Sequence, residues 1–429
     1  MELSGQIERY LEKYRDEIVE NVCRMVRIPS IICQDDSGKP YGEACARALD
    51  FCSELAQSKH LYTRNYDYRC IEATLSPEQK GKRLVLSAHA DVVPADESDA
   101  LYPPFEGTIV GDYIVGRGAV DDKGPLIATL YALAFFAEHN IPLKNDIRLV
   151  FGSNEEMGMD DISYYLERAG QPDLGLAADA DFPAVNGEKS LFKFTLSAPK
   201  TEALDEVRTW GIKQKMVHNH ARLSISGQVE ELLCEPAELL ERPLLACGKA
   251  QELVRKLTQD SKGDKMNIHY QDEQSGETLV RLYQIDTAGE QVRFFFDVRL
   301  SASICCQDAA DRLKDFFADT ELEFELIKTN PGYYIPEDDP ELALLIDLYN
   351  RVTGVQERPY VMGACTYARK FTRGFGFGAG NQYEKKPFPE GHGSAHGADE
   401  AQNISVLLHA VRMYILGIYE LDRMWGDPE

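Results

Sequence analysis

The sequence is short of positive charge: 46 Lys and Arg stand against 71 Asp and Glu, a formal net charge of −25. Nucleic-acid grooves and anionic membrane surfaces call for basic patches, so neither is an expected partner. No run of about 18 apolar residues occurs, and no transmembrane helix is expected. The opening stretch, MELSGQIERYLEKYRDEIVENVCRMVRIPS, lacks the apolar segment and cleavage signature of a signal peptide. None of the 10 cysteines forms a C-x-x-C pair, and the adjacent Cys305 and Cys306 suit neither a disulfide framework nor a zinc ribbon. Free thiols in a reducing, cytoplasmic compartment are the simplest expectation. Internal repeats and low-complexity tracts are missing too.

What is present is an ordinary globular composition, 44% hydrophobic and 27% charged, which excludes wholesale disorder. A length of 429 residues predicts two to four domains, or one large domain carrying an insertion. Near the N-terminus Ile7, Tyr10, Leu11, Tyr14, Ile18, Val22 and Met25 follow helical spacing, with Pro29 as the stop. From about 60 to 190, apolar strand patterns (RLVLSA at 83–88, IRLVFG at 147–152, LGLAA at 174–178) alternate with helical stretches. One of these, LIATLYALAFFA at 126–137, is apolar throughout and opens on Gly124-Pro125, with Pro in the tolerated first turn. Such alternation predicts an α/β domain with a helix-covered, mixed but mostly parallel sheet. After about 190 the texture changes to alternating, half-exposed strands such as VRFFFDVRL at 292–300, with helices near 237–258 and 308–318. From about 335 the α/β texture returns. The expected organisation is a catalytic domain in two parts, 1–190 and 335–429, interrupted by a smaller α+β lid domain at 191–334.

The chemistry-bearing residues gather where strand patterns end. RLVLSA runs into His89, Ala90 and Asp91; IRLVFG into Ser153, Asn154, Glu155 and Glu156; LGLAA into Asp179. Gly116–Gly124 (GRGAVDDKG) places Asp121 just before the apolar helix. Ligands of open α/β sheets bind beyond the carboxyl ends of the strands, so these side chains are expected to converge. Carboxylates do not converge in a partly dry crevice unless cations neutralise them. Mixed imidazole and carboxylate donors suit zinc, with manganese or cobalt as alternatives. A late Gly-rich segment, Glu390–Glu400, supplies two further imidazoles, His392 and His396. Each residue also has a plainer reading. His89 alone could be a core histidine, Asp121 and Glu156 capping or solvated acids, and Asp179 a turn former before Pro183.

HADVVP, GRGAVDDKGP, NEE, DADFPAVNGEK and HGADE, in that order and spacing, resemble the di-zinc peptidase superfamily of carboxypeptidase G, aminoacylase, carnosinase and desuccinylase enzymes. The stretches 179–189 and GACTYAR at 363–369 resemble its PepV-like dipeptidase branch. The resemblance spans about 1–190 and 335–429. It implies two divalent metal ions bridged by Asp121, one completed by His89 and Asp179, the other by Glu156 and His396. It further implies that Asp91 orients His89, that Glu155 is the general base, and that a cis peptide follows Asp121. Arg299, in the DVR segment at 297–299, matches a family arginine that binds a substrate carboxylate, and Arg369 of GACTYAR is a second candidate. In this scheme water shared by two cations is deprotonated near neutral pH and attacks an amide carbonyl, with Glu155 relaying the proton to the leaving amine.

The middle block departs from the family. Its G-x-x-A-H-x-S-x-P segment, whose His supports the oxyanion, is absent, and His218, His220 and His269 sit in other contexts. KMVHN at 215–219 stands where the family has N-M-V-P-D, and GACTYAR has side chains at two positions where the family has glycine. The expected activity is zinc-dependent hydrolysis of dipeptides or similar small carboxylate-bearing amides. An N-acyl-amino-acid deacylase on the same centre and a non-catalytic, metal-retaining peptide binder are the alternatives. The expected partner is the small peptide or N-acyl amino acid itself, with the chain a monomer or homodimer.

Overall fold

The computed structural model describes residues 2–95, 100–210, 220–381 and 384–426. The chain divides into two compact units. The first comprises Met1–Asn186, Ile335–Pro359 and Cys365–Glu429; the second comprises Gly187–Tyr334 with Tyr360–Ala364.

The first unit is built on a mixed sheet. Arg83–His89 lies at its centre, parallel to Asp146–Gly152 on one side and to Leu174–Ala177 on the other. Gly374–Gly376 extends the parallel set beyond Leu174–Ala177. Antiparallel strands flank it: Cys70–Thr74 and Tyr62–Tyr66 at one end, Val185–Glu188 at the other. Every residue of Arg83–His89, Asp146–Gly152 and Leu174–Ala177 is buried, as parallel strands covered on both faces must be. Side chains alternate between the faces. Leu84, Leu86 and Ala88 enter the main core, whereas Val85 and Val150 join a smaller cluster with Ile162, Tyr165, Tyr367 and Phe371. The α/β expectation therefore holds.

The apolar stretch forms the helix Lys123–Glu138, whose residues 123–136 are all buried. A helix apolar all round must be enclosed. This one packs against the central strand and against the helices Glu2–Val26 and Ile404–Trp425. Ile404–Trp425 is by length and composition apolar enough to cross a bilayer. Here it is a core helix, burying Leu407, Ala410, Val411, Tyr414 and Ile418. Asn403 caps it, accepting from the amides of Ser405 and Val406, so its start is fixed directly behind the His396 segment.

The second unit carries a seven-stranded antiparallel sheet in the order Gln228–Leu233, His220–Ile225, Leu204–Trp210, Leu279–Ala288, Gln291–Leu300, Ser190–Pro199, Glu323–Asn330. Gln291–Leu300 alternates strictly between buried and half-buried positions. Its Val292, Phe294, Phe296 and Val298 meet Phe192 and Phe194 of Ser190–Pro199 in a core shared with the helices Gly248–Thr258 and Cys306–Phe317. This is the one-faced packing that the sequence alternation predicts.

Candidate metal centre

Parallel register places three strand ends on one edge of the first unit's sheet. His89 is the last residue of its strand and pairs with Gly152, the last of the neighbouring strand. The turn 153–156 leaves from Gly152, and Asp179 follows two residues after Leu174–Ala177. A separate small sheet delivers the other donors. Tyr113–Val115 pairs antiparallel with Ala401–Asn403, so the loop leading to Asp121 and the loop containing His396 enter and leave side by side. The Gly116 amide donates to the Glu400 carbonyl at 2.8 Å, extending that pairing by one residue.

Two groups of donors result, sharing Asp121. His89, Asp121 and Asp179 form one, and Asp121, Glu156 and His396 the other; within each group the donor atoms lie within 4.8 Å of one another. His89 Nε2 is 3.0 Å from Asp121 Oδ1 and 3.8 Å from Asp179 Oδ2. His396 Nε2 is 2.8 Å from Asp121 Oδ2 and 2.9 Å from Glu156 Oε1. Each carboxylate oxygen of Asp121 therefore faces a different imidazole, the arrangement a ligand bridging two cations requires. Mixed nitrogen and oxygen donors at this spacing fit a pair of divalent cations. The peptide between Asp121 and Asp122 is cis.

The electrostatics are those of a charge cluster in a dry place. Burial opposes ionisation of Asp121, yet the His396 and His89 imidazoles hold its carboxyl well below the usual range. Burial likewise works against a charged His89, but hydrogen bonding to Asp121 and Asp91 raises its imidazole well above the ordinary value. Burial, reinforced by Asp179, pushes Asp122 up, and its Oδ2 accepts the His89 amide at 3.0 Å.

A ring of buried acids holds the donors. Asp91 lies 3.4 Å from His89 Nδ1 through Oδ1 and accepts the amides of Glu155 and Glu156 at 3.2 and 3.1 Å. Glu400 accepts the amides of Val120 and Asp121 at 3.0 and 3.1 Å and an Arg117 guanidinium nitrogen at 2.6 Å. Arg117 also donates to the His396 carbonyl at 3.0 Å, so one ion pair ties the Asp121 loop to the His396 loop. His392 is 2.5 Å from Asp399, which also accepts the amides of Leu101 and Tyr102. It is therefore engaged outside both donor groups.

Of the residues singled out in the sequence, His89, Asp121, Glu156, Asp179 and His396 are brought together, with Asp91 and Glu155 beside them. Arg369 stands in the short 3-10 turn Tyr367–Lys370 of the first unit. Arg299 belongs to the second unit, bonded to Asp297 and to the Gly363 carbonyl at 2.9 and 2.6 Å. His220 stacks on Trp210 and His269 pairs with Asp264 there. His218, with Lys215 to Asn219, lies outside the described residues. Arg117, Asp161 and Tyr367 escaped the sequence reading. The GRG before Asp121 and the conjunction of TYAR with NEE were the only available signals.

The profile of peptidase family M20/M25/M40 matches residues 85–419, and the chain belongs to that family. It is a hydrolytic enzyme, and the binding-only alternative gives way. A Staphylococcus aureus protein named “putative dipeptidase” is 26% identical over 473 residues, covering 96% of this chain and 98% of that one. Human carnosine dipeptidase 1 superposes with a TM-score of 0.66 at 16% identity, over 98% of this chain and 99% of its own. A Bacillus subtilis protein described as a dinuclear metal binding peptidase superposes with a TM-score of 0.57 at 11% identity, over 96% and 99%.

Proposed function

We propose that this chain is a two-metal dipeptidase that hydrolyses the amide of small peptides bearing a free carboxylate. The observation that carries the reading is the pair of donor groups sharing Asp121, each oxygen of which meets one imidazole. His89, Asp121 and Asp179 would hold one cation, and Asp121, Glu156 and His396 the other. Zinc suits these donors, and manganese or cobalt satisfy the same set. Bound there, the cations supply Lewis-acid polarisation of the scissile carbonyl and acidification of water.

The residues do the rest. Glu155 takes the proton of the attacking water on its carboxylate and returns it to the leaving amine nitrogen. Asp91 orients this step, because its carboxylate accepts the Glu155 amide while its backbone carbonyl lies 3.0 Å from His89 Nδ1. Arg369 and Arg299 are our candidates for the substrate carboxylate, since a guanidinium fork matches its two oxygens. The names borne by the S. aureus relative and the human structure support a dipeptide over other amides.

The test is a substrate panel of free dipeptides against N-acetylated amino acids, assayed with added zinc, manganese or cobalt. Turnover of the dipeptides, lost by about 10²–10⁴-fold in Glu155→Ala, is the expected result. Preference for the acetylated compounds would transfer the protein to the deacylase class. Undiminished turnover by Glu155→Ala would remove that residue from the mechanism.

A further inference from the structure

The turn 153–156 is hung from two buried carboxylates. Four consecutive amides leave the end of the strand Asp146–Gly152, and all four are accepted by acid side chains. Glu155 and Glu156 donate to Asp91. Ser153 and Asn154 donate to Asp161 Oδ2 at 2.6 and 2.7 Å. The same oxygen accepts the Tyr367 hydroxyl, while Asp161 Oδ1 accepts the Ile162 amide at 2.7 Å. Asp161 is fully buried and Tyr367 is 2% exposed. Room for this pair exists only because residue 152 is glycine: a Cβ there would overlap both the Tyr367 hydroxyl and the Asp161 carboxylate.

Tyr367 has two further attachments. Its ring meets that of His89 edge-on, with centroids 6.4 Å apart at 85°. It also opens the turn Tyr367–Lys370, fixed by Thr366, whose side chain accepts the Ala368 amide at 3.1 Å; Arg369 stands in that turn. The pair thus links the segment of Glu155 to the segment of Arg369, 206 residues apart along the chain at the Asp161–Tyr367 bond.

We propose that Asp161 and Tyr367 form a positioning pair that sets the register of the turn presenting Glu155. Asp91 accepts both amides of the distal half of the turn; the proximal half, and hence the pitch at which Glu155 leaves the strand, is set by Asp161 bonded to Tyr367. The inference rests on the proposed role of Glu155. Its consequence is that removing the Tyr367 hydroxyl, which reaches the Glu155 turn through Asp161, slows the proton-transfer step.

Three measurements on the full chain test it: steady-state kinetics on a dipeptide, bound zinc per chain, and thermal unfolding of the metal-free protein. Tyr367→Phe should lower kcat roughly 10-fold with KM, zinc content and melting midpoint close to the parent's, and Asp161→Asn up to roughly 100-fold with KM and zinc content kept but a lower melting midpoint, since it leaves buried amides unpaired. In a Glu155→Ala background, Tyr367→Phe should bring no further loss, because the group it positions is gone. Parent-like kcat in both single variants overturns the proposal. So does a loss that tracks zinc release in either variant or early melting in Tyr367→Phe, or a full second loss in the Glu155→Ala background. An active Glu155→Ala protein instead overturns the reading of Glu155 itself, so the two failures are told apart.

Discussion

His89 and His396 face opposite oxygens of Asp121 and are supported in unlike ways. His89 ends a wholly buried strand, its side chain 0% exposed, with the backbone in register with Gly152 and the ring held by Asp91. His396 sits in a Gly-rich loop at φ 61°, its side chain 31% exposed. Sheet pairing holds the first. The second depends on side chains reaching in from elsewhere: Arg117 to its own carbonyl, Lys386 to the carbonyls of Gly393 and Ala401, and Asp399 to His392. A left-handed backbone at a non-glycine residue persists only where the surroundings over-determine it, and these clamps do so. Asp121 thus joins an imidazole fixed by strand register to one on a loop clamped by side chains that bond its carbonyls.

Asp121 serves both imidazoles, and its loss should have the largest effect. Asp121→Ala should abolish both proposed sites, with bound metal falling towards zero and turnover by more than about 10³-fold; retention of either cation at parent affinity would show that the halves do not share it. A finer cut separates the halves. If His396 belongs to the adaptable side, graded chelation should strip one cation well before the other. His396→Ala should then keep one tightly held ion per chain, whereas His89→Ala should disturb both, since Asp91 also carries the Glu155–Glu156 turn. Simultaneous release in the parent would contradict the asymmetry. The smallest effect is expected from Glu400→Gln, which weakens the clamp without removing a donor. Metal affinity on the His396 side should drop by about 10–100-fold, measured by competition with a chelating dye, with a smaller drop on the His89 side because Glu400 also holds the Asp121 amide that both groups share.

Much of this was legible in the sequence, and the physics says which part. Strands such as RLVLSA and IRLVFG announce themselves because a parallel strand covered on both faces is apolar without interruption, and their ends point to the ligand edge by topology alone. His89, Asp121, Glu156, Asp179 and His396 could be named because each stands at such an end or in a motif. Partnerships were another matter. Arg117 and Glu400 are 283 residues apart, and nothing local to either forecasts the other. Asp161 reads as one of two adjacent acids in the first turn of the helix Asp160–Ala169, a common place for carboxylates. Only the fold shows it turned back towards Ser153 and Asn154 instead. His392 and His396 lie four residues apart in one loop; the HGADE motif favours His396, and the fold adds the physical reason, Asp399 engaging His392. Nor does composition disclose that Tyr360–Ala364 sides with the second unit, because five residues carry no periodicity.

The bond from the Asp121 amide to Glu400 spans 279 positions. A ribosome adding about 5–20 residues per second needs roughly 14–56 s to cover that interval. Once Asp179 has been added, the growing polypeptide carries His89, Asp121, Glu156 and Asp179 for most of that interval without His396, Glu400 or the strand Ala401–Asn403. With the donor group of Asp121, Glu156 and His396 incomplete until the His396 segment is made, the order of the chain itself keeps the proposed centre latent over that stretch of synthesis.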